Sequence, residues 1–289
     1  MNRKDFLRKG LLATTALGLT GAAAGKHPRL STELEQVGFE HLPEIKNEYN
    51  MKKVLHRATT RGHANHGWLD THHTFSFANY RNPERMHFGA LRVLNDDHVA
   101  AGRGFGMHPH DNMEIVSIPL EGNLEHRDNM GNQTVIRQGD VQIMSAGTGV
   151  FHSEMNQQAD ADVKFLQIWV FPKERNIQPR YDQATFSPDE RRNVLQTVVS
   201  PEGVADGGID INQDAYFSLT KLDATRAVTY QVHKPGNGVY AFVLAGSVEL
   251  AGETLDRRDG LGVWETDALT IRGISDAEVL LMEVPMKIQ

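Results

Sequence analysis

Two short stretches carry side chains whose types and spacing suit metal chemistry. In the first, HPHDNMEI, His108 and His110 are separated by one residue; in the second, FHSEMN, His152 and Glu154 are. Side chains at i and i+2 of a β-strand point to the same face, so each pair can present two donors from one strand. Two such strands side by side would direct four donors at one point. Three imidazoles and a carboxylate suit a divalent first-row transition ion (iron, manganese, cobalt, nickel, copper or zinc) far better than calcium or magnesium.

Strands are therefore required around these residues, and the surrounding sequence supplies them. From Met51 onward, short apolar runs alternate with Gly, Asn and Asp turns, the pattern of an all-β sandwich or barrel. HFGALRVLNDD reads as a strand closing in a turn at Asn95, Asp96 and Asp97. In the next, MEIVSIPLEGN, Val116, Ile118 and Leu120 share parity with His108, His110 and Glu114, so a continuous strand would turn all of them to one interior. KFLQIWVFP, apolar on both faces, reads as a buried strand ending a first domain, 51–172. The polar, proline-containing residues 173–193 read as a linker, and strands resume over 194–289. The second half echoes the first: LEGNLE matches LAGSVE and RQGDVQI matches RDGLGVW, which makes two similar β units in tandem the economical inference. Aligned on Gly122 and Gly246, the second unit has Val232 and Lys234 where the first has His108 and His110, and His233 stands alone. The second unit thus reads as a structural partner without a metal.

Composition narrows the function. With 30 basic and 37 acidic residues, the net charge of −7 argues against a broad basic face for nucleic acid. With no cysteine, disulfides, thiolate ligands and a cysteine nucleophile are excluded. Residues 1–24 read as an export signal: MNRKDFLRKG, then an uncharged run, with Ala22 and Ala24 as small residues at a cleavage point. Arg3, Lys4, Phe6, Leu7 and Arg8 resemble a twin-arginine signal with lysine in place of the second arginine. The expected location is periplasmic or otherwise exported, without stable membrane insertion after cleavage; an uncleaved tail, leaving the protein in the cytoplasm, is the alternative. Residues 25–50 read as a polar spacer.

From about Arg57 to Trp169 the chain resembles the pirin family of the cupin superfamily, especially its bacterial quercetinase-like members. The resemblance is carried by HANHGWLDTHHTFSF, HFGALRVLNDD, HPHDNMEI, LEGNLEHRDNMGN and IMSAGTGVFHSEMN, and it continues more weakly to the C-terminus. It implies two cupin (jelly-roll) barrels, a bicupin, with a metal in the N-terminal one held by His108, His110, His152 and Glu154, iron being the first choice. Many cupins take a glutamate from the first motif, where Glu114 stands here. The resemblance to pirins assigns that role to Glu154 and leaves Glu114 to hold a ligand imidazole by a hydrogen bond.

The expected activity is that of a metal-dependent dioxygenase, cleaving a flavonol such as quercetin across its 2,3 bond with dioxygen, with Glu154 as ligand and acceptor of the substrate hydroxyl proton. A small aromatic or flavonol molecule and dioxygen are the expected partners. The alternative is a redox-sensing regulator of the pirin type, docking on a protein partner without turnover. Eleven of the 14 histidines lie between His56 and His152. His63, His66, His72, His73, His87, His98 and His126 share no spacing with the four ligands and read as structural or surface groups, with His63, His66 and His73 close to the pocket. Gly104 and Gly106 read as devices for the turn into the ligand strand. Trp68, Phe75 and Phe77 read as core packing, or as walls of an aromatic pocket.

Overall fold

A computed structural model describes residues 51–205 and 207–288. The export signal at 1–24 and the spacer at 25–50 lie outside the described residues. Among the described residues the regular structure is almost entirely strand, with two short 3-10 turns, Ala58–Thr60 and Pro188–Arg191. The first half contributes β1 (Lys52–His56), β2 (Gly62–Asn65), β3 (Leu69–His73), β4 (Leu91–Val99), β5 (Gly104–His110) and β6 (Glu114–Glu121). It continues with β7 (Asn123–Asp128), β8 (Gln133–Arg137), β9 (Asp140–Ser145), β10 (Val150–Met155), β11 (Val163–Val170) and β12 (Arg180–Thr185). The second half contributes β13 (Gln196–Pro201), β14 (Ile209–Ile211), β15 (Tyr216–Leu222), β16 (Ala227–Gln231) and β17 (Asn237–Ala245). It ends with β18 (Ser247–Leu250), β19 (Glu253–Asp256), β20 (Gly260–Trp264), β21 (Ala268–Gly273) and β22 (Ala277–Pro285).

These strands build two barrels of the same plan, each a seven-stranded sheet with a four-stranded sheet. The N-terminal pair runs β12-β9-β6-β11-β4-β3-β2 and β5-β10-β7-β8; the C-terminal pair runs β1-β20-β17-β22-β15-β13-β14 and β16-β21-β18-β19. The internal repeat seen in the sequence is therefore a repeat of topology. Gly122 and Gly246 sit at equivalent junctions, β6 to β7 and β17 to β18, with φ of 77° and 69°. At Gly246 a Cβ would lie 2.0 Å from the Asp276 carbonyl oxygen, so the left-handed turn and the close backbone both require glycine.

One edge strand crosses between the halves. β1, from the first half, pairs antiparallel with β20 of the second. β12 lies within the stretch expected to be a linker, yet it pairs with β9 and closes the edge of the N-terminal seven-stranded sheet. Its polar composition reflects an edge position, with residues intermediate or exposed rather than buried. A backbone that must satisfy its hydrogen bonds at an edge can do so with polar side chains, so composition alone could not separate this strand from a loop.

The largest apolar cluster joins the two seven-stranded sheets, with Leu91, Val116, Ile118 and Ile168 packed with Phe217, Phe242 and Met282. A second fills the C-terminal barrel with aliphatic side chains such as Val239, Val248, Leu261 and Ile271. Two smaller clusters line the N-terminal barrel, where polar side chains share the interior. Two features of the sequence reading change here. Asn95, Asp96 and Asp97 lie inside β4, paired with β3 and β11, and form no turn. β5 and β6 are not continuous: the chain turns at Asp111–Met113, with Asn112 at φ 46°, and passes from one sheet to the other. Val116 and Ile118 consequently face the partner barrel, whereas Ser117 reaches the metal-site side.

Candidate metal centre

β5 is the edge strand of the four-stranded sheet, a position that tolerates Pro109, whose nitrogen has no hydrogen to donate. Its neighbour β10 runs antiparallel, pairing His152 directly with His108 and Val150 with His110. Cross-strand pairing and i, i+2 spacing together bring the three imidazoles into one cluster, whose ligand nitrogens lie within 4.8 Å of one another. Ring centroids are 4.4 Å apart for His108 and His152, and 4.9 Å for each other pair. Between His152 and Glu154 the register slips, so that Glu154 pairs with Phe105 and β5 carries one extra residue. Beside this bulge, the Gly106 carbonyl accepts the His108 Nδ1–H at 2.7 Å.

Gly104 and Gly106 thus lie within the ligand strand rather than in a turn leading to it. A Cβ at Gly104 would stand 2.3 Å from the Glu154 carbonyl oxygen and 2.6 Å from Met155 Cα, so glycine permits the close approach of β5 and β10.

Electrostatics keep the cluster ready to bind a cation. Burial lowers the His110 pKa to about 4 and that of His152 to about 3, and the neighbouring imidazoles of the cluster push both the same way. Both rings are neutral at pH 7, with a lone pair free for coordination. His152 Nε2 is buried without a hydrogen-bond partner among the described residues. An orphaned buried acceptor at the centre of three converging imidazoles fits a bound metal ion, and donating Nδ1–H to Gly106 leaves His108 Nε2 as its ligand atom.

Glu154 is 2% exposed and lies on the wall of the same cavity, but its carboxylate is gripped from the facing sheet. Gln167 Nε2 donates to Oε2 at 2.6 Å, and the Ser117 hydroxyl lies 3.0 Å from Oε1. That hydroxyl also lies 3.1 Å from Gln167 Oε1, and its single proton serves one oxygen at a time. The structure therefore gathers the three histidines into one tight group and sets Glu154 beside it, within a hydrogen-bonded clamp. Glu114 plays a different part from the one expected. It is fully buried, accepts from Ser145 Oγ at 2.7 Å and from the Asn212 backbone at 3.1 Å, and so ties the two halves together without touching a ligand imidazole.

The cavity beside the cluster has a volume of about 470 Å³, within the usual range for small-molecule sites. Phe77, Tyr80, Phe105 and Trp169 contribute aromatic wall, and His63, His66 and His73 reach it, as the sequence suggested. Phe75 instead belongs to the core between the sheets, and Trp68 packs edge-on to Phe105 with centroids 5.4 Å apart. Asp97 also lines the cavity. Burial pushes its carboxyl up to about 7 against the Thr71 hydroxyl donating at 2.5 Å, and the charge of Glu154 adds to the rise.

Two groups were not singled out by sequence. His126, fully buried, contacts His152, and Tyr181 of the edge strand β12 packs against His126 with centroids 4.6 Å apart. His126 stands opposite Glu154 in the β7–β10 register, one strand away from the ligands, so no spacing along the chain announces it. Near the cavity rim, His63, Asp70 and His72 form a second cluster of donors. There the His63 and His72 rings stack nearly parallel, 4.5 Å apart, and His63 Nε2 is already engaged with Asp70 at 2.8 Å. In the C-terminal barrel, His233 is not isolated: it stacks on Tyr216 at 4.0 Å and meets the buried Glu283 carboxylate at 2.9 Å.

Known proteins resemble this chain in both halves. Residues 54–170 match the Pirin family, and residues 197–284 match the quercetinase C-terminal cupin domain. Quercetin 2,3-dioxygenase of Escherichia coli is 44% identical over 231 residues, covering 80% of this chain and 98% of that protein. The chain belongs to the pirin family. A pirin-like protein of Caulobacter vibrioides is 38% identical over 222 residues, covering 77% of this chain and 95% of its own length. Among solved structures, a bacterial pirin from Escherichia coli in complex with nickel(II) superposes with a TM-score of 0.77 at 43% identity, covering 82% of this chain and all of that one. A quercetin 2,3-dioxygenase from Acinetobacter baumannii, 20% identical with a TM-score of 0.67, shares the fold.

Proposed function

We propose that this pirin is a metal-dependent dioxygenase of the quercetinase type, opening a flavonol ring across its 2,3 bond with dioxygen. One observation carries the reading: three converging imidazoles and a buried carboxylate open onto an aromatic-walled cavity of about 470 Å³. His108, His110 and His152 would hold a divalent first-row ion, with Glu154 as the fourth ligand. Nickel(II) in the Escherichia coli relative stands beside the iron expected from family resemblance as a candidate. Such an ion, when bound, supplies Lewis acidity toward the substrate 3-hydroxyl and a place for electron exchange with dioxygen.

The chain's own residues do the rest. Phe77, Tyr80 and Trp169 are placed to flank a planar aromatic ring system and to exclude water. Trp169 Nε1–H, buried and without a partner among the described residues, is a donor for a substrate oxygen. Glu154 is positioned to take the 3-hydroxyl proton, and Gln167 and Ser117 keep its carboxylate oriented while it does so.

The test is oxygen uptake and loss of flavonol absorbance with protein loaded with Fe²⁺ or Ni²⁺, its metal content set by elemental analysis. Turnover that disappears in Glu154→Gln while metal content persists supports the assignment. Metal-loaded protein that leaves a panel of flavonols intact removes it, and then the regulatory reading takes its place.

A further inference from the structure

His126 and Asp128 lie on β7, next to the ligand strand β10, and both side chains are fully buried. His126 Nε2 faces Asp128 Oδ2 at 3.2 Å, and its Nδ1 faces His152 Nδ1 at 3.5 Å. The partners dictate where the protons sit. Asp128 accepts from the backbone amides of Met130 and Asn132 at 2.9 and 3.0 Å and from the Asn132 side chain at 2.8 Å, so its carboxylate is held in place by a turn. A carboxylate can only accept, so a His126 ring with one hydrogen places it on Nε2 and leaves Nδ1 bare. His152 Nδ1, facing that bare nitrogen, must then carry the hydrogen of its own ring. The lone pair of His152 is left on Nε2, the buried atom that has no partner among the described residues.

We infer that His126 and Asp128 are a positioning pair which locks His152 into the metal-ready tautomer and fixes its ring, with Tyr181 of the edge strand β12 as brace. The brace is itself fixed: Tyr181 packs on His126, and its hydroxyl is held by Thr134 at 2.6 Å and Gln183 at 2.8 Å. Carboxylate–imidazole pairs behind a ligand histidine raise its basicity and restrict its rotation; here a second imidazole is inserted between the carboxylate and the ligand ring. Through β12, residues beyond the stretch 51–172 expected to form the first domain thereby reach the site.

The inference rests on the metal reading of the three-histidine cluster, and the experiment separates the two. Long-range ¹H–¹⁵N correlation spectra of metal-free full-length protein report the histidine tautomers directly. The expected result is hydrogen on Nε2 of His126 and on Nδ1 of His152. Competition with a chromophoric chelator then gives Ni²⁺ affinity. His126→Leu, which can neither accept nor relay, should bind Ni²⁺ about 10–100-fold more weakly. His126→Gln, whose amide can accept from His152 and donate to Asp128, should recover most of the loss, a recovery that cavity filling alone would not produce. A His152 ring with its hydrogen on Nε2 overturns the inference, and so does a His126→Leu protein that binds as tightly as wild type. If His126→Leu does not fold, the wild-type tautomers and the His126→Gln affinity decide the matter. Wild-type protein that takes up no Ni²⁺ refutes the metal reading itself, whatever the tautomers.

Discussion

The clamp on Glu154 offers a test in which stability and metal binding report on the same atoms. Gln167→Leu keeps side-chain bulk but removes the Nε2 donor 2.6 Å from Glu154 Oε2. Glu154 is 2% exposed, so water replaces the lost bond poorly, and the Ser117 hydroxyl is its other hydrogen-bond partner among the described residues. Losing a hydrogen bond to a buried charged group costs about 2 kcal/mol, and for a folded region of this size that lowers the melting temperature by about 4–8 °C. The same change should cost less in metal-loaded protein, because an ion coordinated by Glu154 would compensate the charge that Gln167 no longer satisfies. Thermal unfolding at pH 7.5, with and without saturating Ni²⁺, measures both quantities. Equal losses in the two states would show that Glu154 does not reach the ion, and no loss in either would show that the clamp is not formed.

Acid should weaken the metal-free protein well above the range of ordinary carboxylates. His56 and His110 are held down to about 4 and His152 to about 3, chiefly by burial, so the folded chain keeps them neutral while the unfolded chain takes up protons below about pH 6.5. Their contribution is complete above pH 6.5 and lost as pH falls toward 4. Asp97 and Glu114, whose carboxyls burial pushes up, offset part of it. After discounting the part-exposed His110, a net loss of roughly 3 kcal/mol across that window is expected by chemical denaturation at stepped pH; a flat profile contradicts it. Gly104→Val should force β5 and β10 apart, lowering stability by about 1–3 kcal/mol and weakening Ni²⁺ binding, both measurable on one sample. A chain starting at Arg57 lacks β1 and leaves the edge of β20 unpaired; light scattering should show self-association that the longer chain does not have.

The sequence by itself determined the chemistry of the metal cluster. His108 and His110, like His152 and Glu154, are neighbours by strand periodicity, a local property that survives whatever the rest of the fold does. The repeat of LEGNLE in LAGSVE announced two units of one plan, since both place a glycine at a junction requiring positive φ. Tertiary structure decided what holds those residues and what they face. Glu154 is gripped by Ser117 and Gln167, 37 and 13 residues away along the chain, and His126 lies behind His152 because β7 and β10 pair, contacts that periodicity cannot encode. The same holds for Glu114, which sits one short turn from the ligands yet bonds to Asn212 because the chain changes sheets after His110. β12 closes the N-terminal barrel and β1 the C-terminal one for a related reason. An edge strand is chosen by which unsatisfied backbone lies beside it in space, and a polar stretch carries no sign of that neighbour until the two sheets are stacked.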